Sequence, residues 1–201
     1  MNKNTLRARF IRCIVCALAI GAILCVTAFA GAFPDVPDSA SYAEAVNALV
    51  EVGVMNGGND GNFRPDATIT RAEASVVICR LLNTPVTAKE SPFPDVPPTE
   101  WSVRYVATAA ELGIFSGYSN GNFGPNDPVT FEQMVKVLIS AWGYDDEAME
   151  SGGWPDGYLN VAENLDITKG TYLKGSVPCT RAAVAVLCYN ILDIRPAGYS
   201  I

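Results

Sequence analysis

Phe33-Pro34-Asp35-Val36-Pro37 returns sixty residues later as Phe93-Pro94-Asp95-Val96-Pro97. The same offset carries Val46 onto Val106, Gly53 onto Gly113 and Gly61-Asn62-Phe63 onto Gly121-Asn122-Phe123 without a gap, and then Pro65 onto Pro125 and Thr70 onto Thr130. Self-similarity at a fixed period marks a fold assembled from units that cannot bury their apolar faces alone. A third, weaker copy follows. Trp154, Tyr158, Ala162, Leu165, Ile167 and Gly170 align with Trp101, Tyr105, Ala109, Leu112, Ile114 and Gly117. Thr180 then aligns with Thr130 across a connecting loop three residues shorter, and this copy has no Gly-Asn-Phe segment.

Each copy reads as helix, Gly-rich loop, helix. In the second helix, Ala74, Val77, Ile78 and Leu81 fall at i, i+3, i+4 and i+7, one apolar face. Met134, Val137, Leu138 and Ala141 repeat that stripe, as do Val184, Leu187, Cys188 and Ile191. Three equivalent stripes predict three equivalent helices around one core. Thr70 and Thr130 stand where an N-cap belongs, and Glu73 and Gln133 three residues on complete capping boxes. Thr180 has Ala183 at that place, so its cap is expected to be incomplete. The first helices are expected over Ser41–Val52, Trp101–Leu112 and Asp156–Leu165. Gly53 and Gly113 suit a left-handed C-cap, a place that Asp166 takes in the third copy. A two-helix unit of about 50 residues is too small to stand alone. The expected fold class is therefore all-α, a pseudo-threefold helical bundle with repeats at 33–83, 93–144 and 154–193, polar linkers at Asn83–Ser91 and Gly143–Gly153, and a tail at 194–201.

Of 201 residues, 14 are Lys or Arg, 21 are Asp or Glu and none is His. The missing imidazole excludes a Ser-His-Asp triad, His-based metal sites and a His pH switch. An acidic surface argues against nucleic acid as a partner. The basic residues are unevenly placed. Lys3, Arg7, Arg9 and Arg12 precede the apolar run Cys13–Ala30, which ends Ala28-Phe29-Ala30. This pattern is that of a secretory leader, residues 1–30, cleaved after Ala30. The alternative is a retained anchor, because 18 apolar residues nearly span a bilayer. Cleavage leaves 10 basic residues against the 21 acids, a net charge of −11, and no membrane span. It also leaves Cys79, Cys179 and Cys188, an odd, widely spaced set at apolar repeat positions, expected to be buried free thiols. There is no covalent sorting signal at the C-terminus, so any attachment to a surface is expected to be non-covalent. The Gly/Asn/Asp loops lack the closing bidentate Glu of a calcium loop, and no metal or cofactor is expected.

Phe-x-Asp-Val, the Trp at the start of a first helix, Gly-x-x-x-Gly-x-Phe-x-Pro and Thr-Arg-Ala-Glu together resemble the S-layer homology (SLH) repeat. Trp154-Pro155-Asp156-Gly157-Tyr158-Leu159 looks like the opening of a third copy. The resemblance covers about residues 33–192. It implies a three-pronged helical bundle at the bacterial cell surface that binds secondary cell-wall polymers of peptidoglycan non-covalently, often through pyruvylated sugars in grooves between prongs. The chain departs from the pattern where Phe131 replaces the motif arginine, Ser41 the tryptophan and Ala183 the motif glutamate. Not every groove is therefore expected to be competent.

The resemblance leaves Arg71 and Arg181 as candidate ligand contacts, each at the first position of a helix. A cation there has the wrong sign for the helix dipole. Either it is a solvated or acid-paired surface group, or guanidinium and helix amides converge on an anion such as a pyruvyl carboxylate. Long-range attraction cannot draw an acidic protein to an acidic polymer, so local arginine pockets are required. Trp101 and Trp154 either stack on a sugar or pack in the core. Asp35 and Asp95 either accept from ligand hydroxyls or cap turns. They occupy equivalent places in different repeats and form no glycosidase pair. Arg71 and Trp101 are expected to share the best groove. The reading is a non-enzymatic wall-anchoring protein; the rivals are a structural or partner-binding surface protein that has lost glycan binding and a carboxylate-based glycan hydrolase.

Overall fold

The three stripes point inward as expected. The computed structural model describes residues 33–198. The expected leader, 1–30, and the end of the tail lie outside the described residues. Seven helices are seen among them: α1 (Ala43–Glu51), α2 (Arg71–Leu81), α3 (Val103–Glu111), α4 (Phe131–Trp142), α5 (Asp145–Glu150), α6 (Asp156–Asn164) and α7 (Arg181–Leu192). All twelve stripe residues of α2, α4 and α7 are buried. Each such side chain contributes about 1.5–3 kcal/mol on leaving water.

The packing unit is not the sequence unit. α2 pairs with α3, α4 with α6, and α7 with α1, so the second helix of each repeat packs on the first helix of the next, and the third repeat closes on the first. α4 also contacts both α2 and α7. The ring is closed by backbone as well. Ile69 N–H donates to the Cys179 carbonyl (3.0 Å), Cys179 N–H to Val129 (2.8 Å) and Val129 N–H to Ile69 (3.0 Å). These residues, just before the three N-caps, form a cyclic triangle at the pseudo-threefold axis. Their side chains are fully buried.

The local signals act as expected. Thr70 and Thr130 accept from the amides of Glu73 and Gln133, whose side chains reach back to complete both boxes. Thr180 caps Ala183 alone. α1, α3 and α6 end in left-handed residues, Gly53 (φ 73°), Gly113 (φ 69°) and Asp166 (φ 58°). In all three the following amide bonds back to Leu49, Ala109 or Ala162. Two expectations need correction. The first helices of the first two repeats start two residues late, at Ala43 and Val103, because 41–42 and 101–102 belong to the entering turns. The stretch read as linker Gly143–Gly153 contains α5, whose Ala148 is fully buried against α6. The tail is tied down too: the Trp142 indole donates to the Ile194 carbonyl (3.0 Å) and the Tyr144 hydroxyl to that of Arg195 (2.7 Å).

Candidate functional site

Phe-x-Asp-Val and Gly-Asn-Phe turn out to be two halves of one clamp. Phe33 packs on Phe63 with ring centroids 5.5 Å apart, and Phe93 on Phe123 at 5.2 Å. Asp35 accepts from the amides of Phe63 (2.8 Å) and Arg64 (2.6 Å). Asp95 does the same for Phe123 (2.8 Å) and Gly124 (2.7 Å). Gly117 is required because a Cβ there would lie 2.6 Å from the Phe93 ring, and Gly57 faces Phe33 in the same way. Burial alone would raise the Asp35 carboxyl, but the two amides outweigh it and hold it below its ordinary value. Both aspartates thus use their oxygens on the fold.

Into each clamped loop reaches an arginine from the preceding repeat in the ring. Arg71 lies over Phe123 (4.6 Å from guanidinium carbon to centroid), Tyr118 (4.7 Å) and Phe115 (5.4 Å). Its Nε donates to the Phe123 carbonyl and its Nη2 to that of Ser116, each at 2.7 Å. Arg181 lies over Phe63 (4.6 Å) and donates to the carbonyls of Phe63 (2.8 Å) and Asn56 (2.6 Å). Burial lowers both from arginine's ordinary value. Arg71 is only 5% exposed. Neither is a solvated surface group. Nor are the helix amides beside them open to an anion. Those of Arg71 and Ala72 donate to Asp127 and Pro125, and those of Arg181 and Ala182 to Ala67 and Pro65.

This geometry joins two departures of the sequence into one. The arginine of the second repeat would enter the loop of the third. That loop has no Gly-Asn-Phe, and the arginine position is Phe131, buried and with its amide on the Val177 carbonyl. The shortened loop leaves a recess of about 410 Å³ with Phe131, Leu159 and Leu173 among its apolar walls and Asp166, Lys169 and Lys174 among its charged ones.

A smaller groove, about 180 Å³, lies where all three repeats meet at the first loop. Its lining includes Asn56, Glu73, Val77, Arg80, Trp101 and Arg181. The pairing expected from the sequence, Arg71 with Trp101, is replaced by Arg181 with Trp101. Arg71 serves the second loop, and the ring order puts the third repeat's arginine on the first. Trp101 is 61% exposed and Trp154 50%, so neither ring is a core residue. Arg80 was missed from sequence because it belongs to no motif. The available signal was its place on the face of α2 that also carries Glu73 and Val77, at i, i+4 and i+7. With its amide nitrogen turned to the Met55 carbonyl (2.8 Å), Asn56 accepts from Arg80 Nη1 at 3.0 Å. Arg80 and Arg181 against Glu73 leave the groove one net positive charge in an acidic protein.

Residues 32–75 and 92–135 match the S-layer homology domain. Both segments are similar to the SLH repeat. The family match does not extend to the third unit, although the helices of that unit complete the ring. A "Cell surface protein" of Thermoanaerobacter kivui is 31% identical over 172 residues, 83% of this chain and 22% of its own length. The "Surface-layer 125 kDa protein" of Lysinibacillus sphaericus is 30% identical over 208 residues, 96% of this chain and 18% of its own. An "Endoglucanase" of Bacillus sp. (strain KSM-635) is 32% identical over 112 residues, 56% of this chain and 12% of its own. The chain spans about a fifth of the length of the first two. Both those alignments reach well beyond the two matched SLH stretches.

Proposed function

We propose that this protein is a secreted, non-enzymatic module of the bacterial cell surface, and that its third unit is a degenerate SLH repeat. It attaches without a covalent link to a secondary cell-wall polymer, through sugars carrying a pyruvyl carboxylate. The observation that carries this reading is the groove at the first loop. There an exposed indole, two guanidinium groups and a carboxylate face one space. An aromatic face suits the apolar side of a sugar ring, and a guanidinium forks onto a carboxylate. The SLH repeats and the surface proteins among the relatives support the same conclusion at the level of location. Trp101 and Arg181 contact ligand in this reading, and Trp154 is the equivalent ring of the next groove. Arg71, Asp35 and Asp95 hold the loops in shape.

The test is co-sedimentation of the protein, freed of residues 1–30, with sacculi. Binding is expected to intact sacculi, to disappear once the secondary polymer is extracted, and to weaken in Trp101→Ala. Equal binding to extracted sacculi would overturn the glycan assignment. A second reading, a structural or partner-binding surface protein, is favoured by one observation: both motif arginines are committed to carbonyls inside the fold. It predicts unchanged sedimentation of Trp101→Ala.

A further inference from the structure

We infer that only the groove of the first repeat takes the anionic sugar, and that Arg80 is the residue that grips its carboxylate. The inference rests on the glycan reading above and adds its stoichiometry and its charge-recognition residue.

The three grooves have equivalent positions, and their chemistry can be compared one by one. In the first, the position on the second helix facing the groove is Arg80. One of its N–H groups is placed for Asn56, which orients the fork. Arg181 already uses Nε and Nη2 on carbonyls and so acts as the wall behind the ligand. In the second groove, the counterpart of Arg80 is Ser140. Its hydroxyl donates to Asp145 Oδ1 at 2.6 Å, and the Tyr158 hydroxyl meets the same oxygen at 3.1 Å. A carboxylate therefore stands where the first groove has a guanidinium. Lys136, the counterpart of Val76, is drawn over the Tyr158 ring at 5.2 Å, and Arg71 is sealed under Tyr118. Trp154 is exposed there, but an incoming anion meets Asp145. Like charges at close range are costly in a partly dry site.

In the third groove, the charged and aromatic contact residues are all changed. Phe131 stands for the arginine, Ala183 for Glu73 and Ser41 for Trp101. The counterpart of Arg80 is Asn190, whose amide nitrogen donates to the carbonyls of Ile167 (2.9 Å) and Lys169 (2.8 Å). Asp145 opens the helix α5, so the short helix between the second and third repeats is what brings a carboxylate to the second groove.

The chain has three tryptophans, and they report separately. Trp101 marks the first groove and Trp154 the second, while Trp142 is buried and bonded to Ile194, an internal reference. The experiment is a titration of the ¹⁵N-labelled protein with the methyl glycoside of a hexose carrying a pyruvyl ketal, following the three indole N–H signals. Calorimetry gives the number of sites. We expect the Trp101 signal to move alone, with one site per chain. Arg80→Gln should weaken binding at least tenfold, about the worth of one charge-assisted fork, with its urea transition unmoved. Arg80→Lys should recover part of the affinity. Movement of Trp154 over the same concentrations, two sites per chain, or wild-type affinity in Arg80→Gln would overturn the single-groove assignment and leave the glycan reading standing. No movement of either exposed indole and no heat would overturn the glycan reading, and this inference with it.

Discussion

Arg71 was legible as a motif residue but not as a buried one. A cation at the first position of a helix reads as a surface group because the sequence does not show which loop it enters. Its stacking on three rings and its two carbonyl partners predict a structural cost on removal. Arg71→Ala should lose about 2–4 kcal/mol, from the lost ring contacts and two orphaned carbonyls, read as a lower urea midpoint. Arg71→Lys should recover less than half of that, because an ammonium cannot span both carbonyls in one plane. Asp35 carries a different signature. Its carboxyl is held below its ordinary value of 3.8, so the unfolded chain binds the proton first as pH falls. Its contribution is complete above the unfolded value and is lost as pH drops through the lower native one. The urea-midpoint gap between wild type and Asp35→Asn should be constant above about pH 5 and shrink steadily at lower pH. A gap that widens on acidification would contradict the clamp. The role of Asp35 did leave a trace in the sequence. Phe-x-Asp-Val and Gly-Asn-Phe are both present in two copies and both absent from the third, as two halves of one contact should be.

At the scale of elements, periodicity says which face of a helix is buried and nothing about what covers it. The stripes of α2, α4 and α7 were readable for that reason, as were the Thr caps, whose partners lie three residues away. The pairing of α2 with α3, α4 with α6 and α7 with α1 was not, because it joins each repeat to its neighbour across a linker. The small helix α5 was hidden by its composition: Asp145, Asp146, Glu147 and Glu150 read as a solvated run, and Ala148 alone carries its packing. The exchanged pairing has a testable result. A chain ending at Gly153 keeps two complete sequence repeats but strips α1 of α7 and α4 of α6. It should lose the single cooperative unfolding transition expected of the whole chain in urea, with circular dichroism as the readout. A two-repeat fragment that melts as sharply as the parent would mean that the repeats fold as sequence units.

At the scale of the whole molecule, the core is shared by three repeats, and the thiols lie within it. Cys79, Cys179 and Cys188 are buried and free. Burial pushes the first two up to about 12 and the third higher still. At about pH 8 the native protein should leave these three unmodified by a disulfide reagent, and all three should react once guanidinium unfolds it. Fast labelling of any of them in the native state would show that the bundle opens locally. All-α class, threefold organisation and buried thiols were open to sequence reasoning because each is a pattern of apolar positions. The composition of the groove was not, since it draws Asn56, Arg80, Trp101 and Arg181 from three different repeats.

The hydrogen-bonded triangle of Ile69, Val129 and Cys179 has a topological corollary. A closed ring of equivalent joints has no first member. What makes one repeat the first is only the order in which the chain visits the ring. The helix pair α1 and α7 is held by packing between the two ends of that order, while the other two pairs are held by packing and by a covalent linker as well. A circular permutant opened within the polar stretch 84–91, with the original ends joined, would move the unlinked seam to the α2–α3 pair and leave every contact of the core in place.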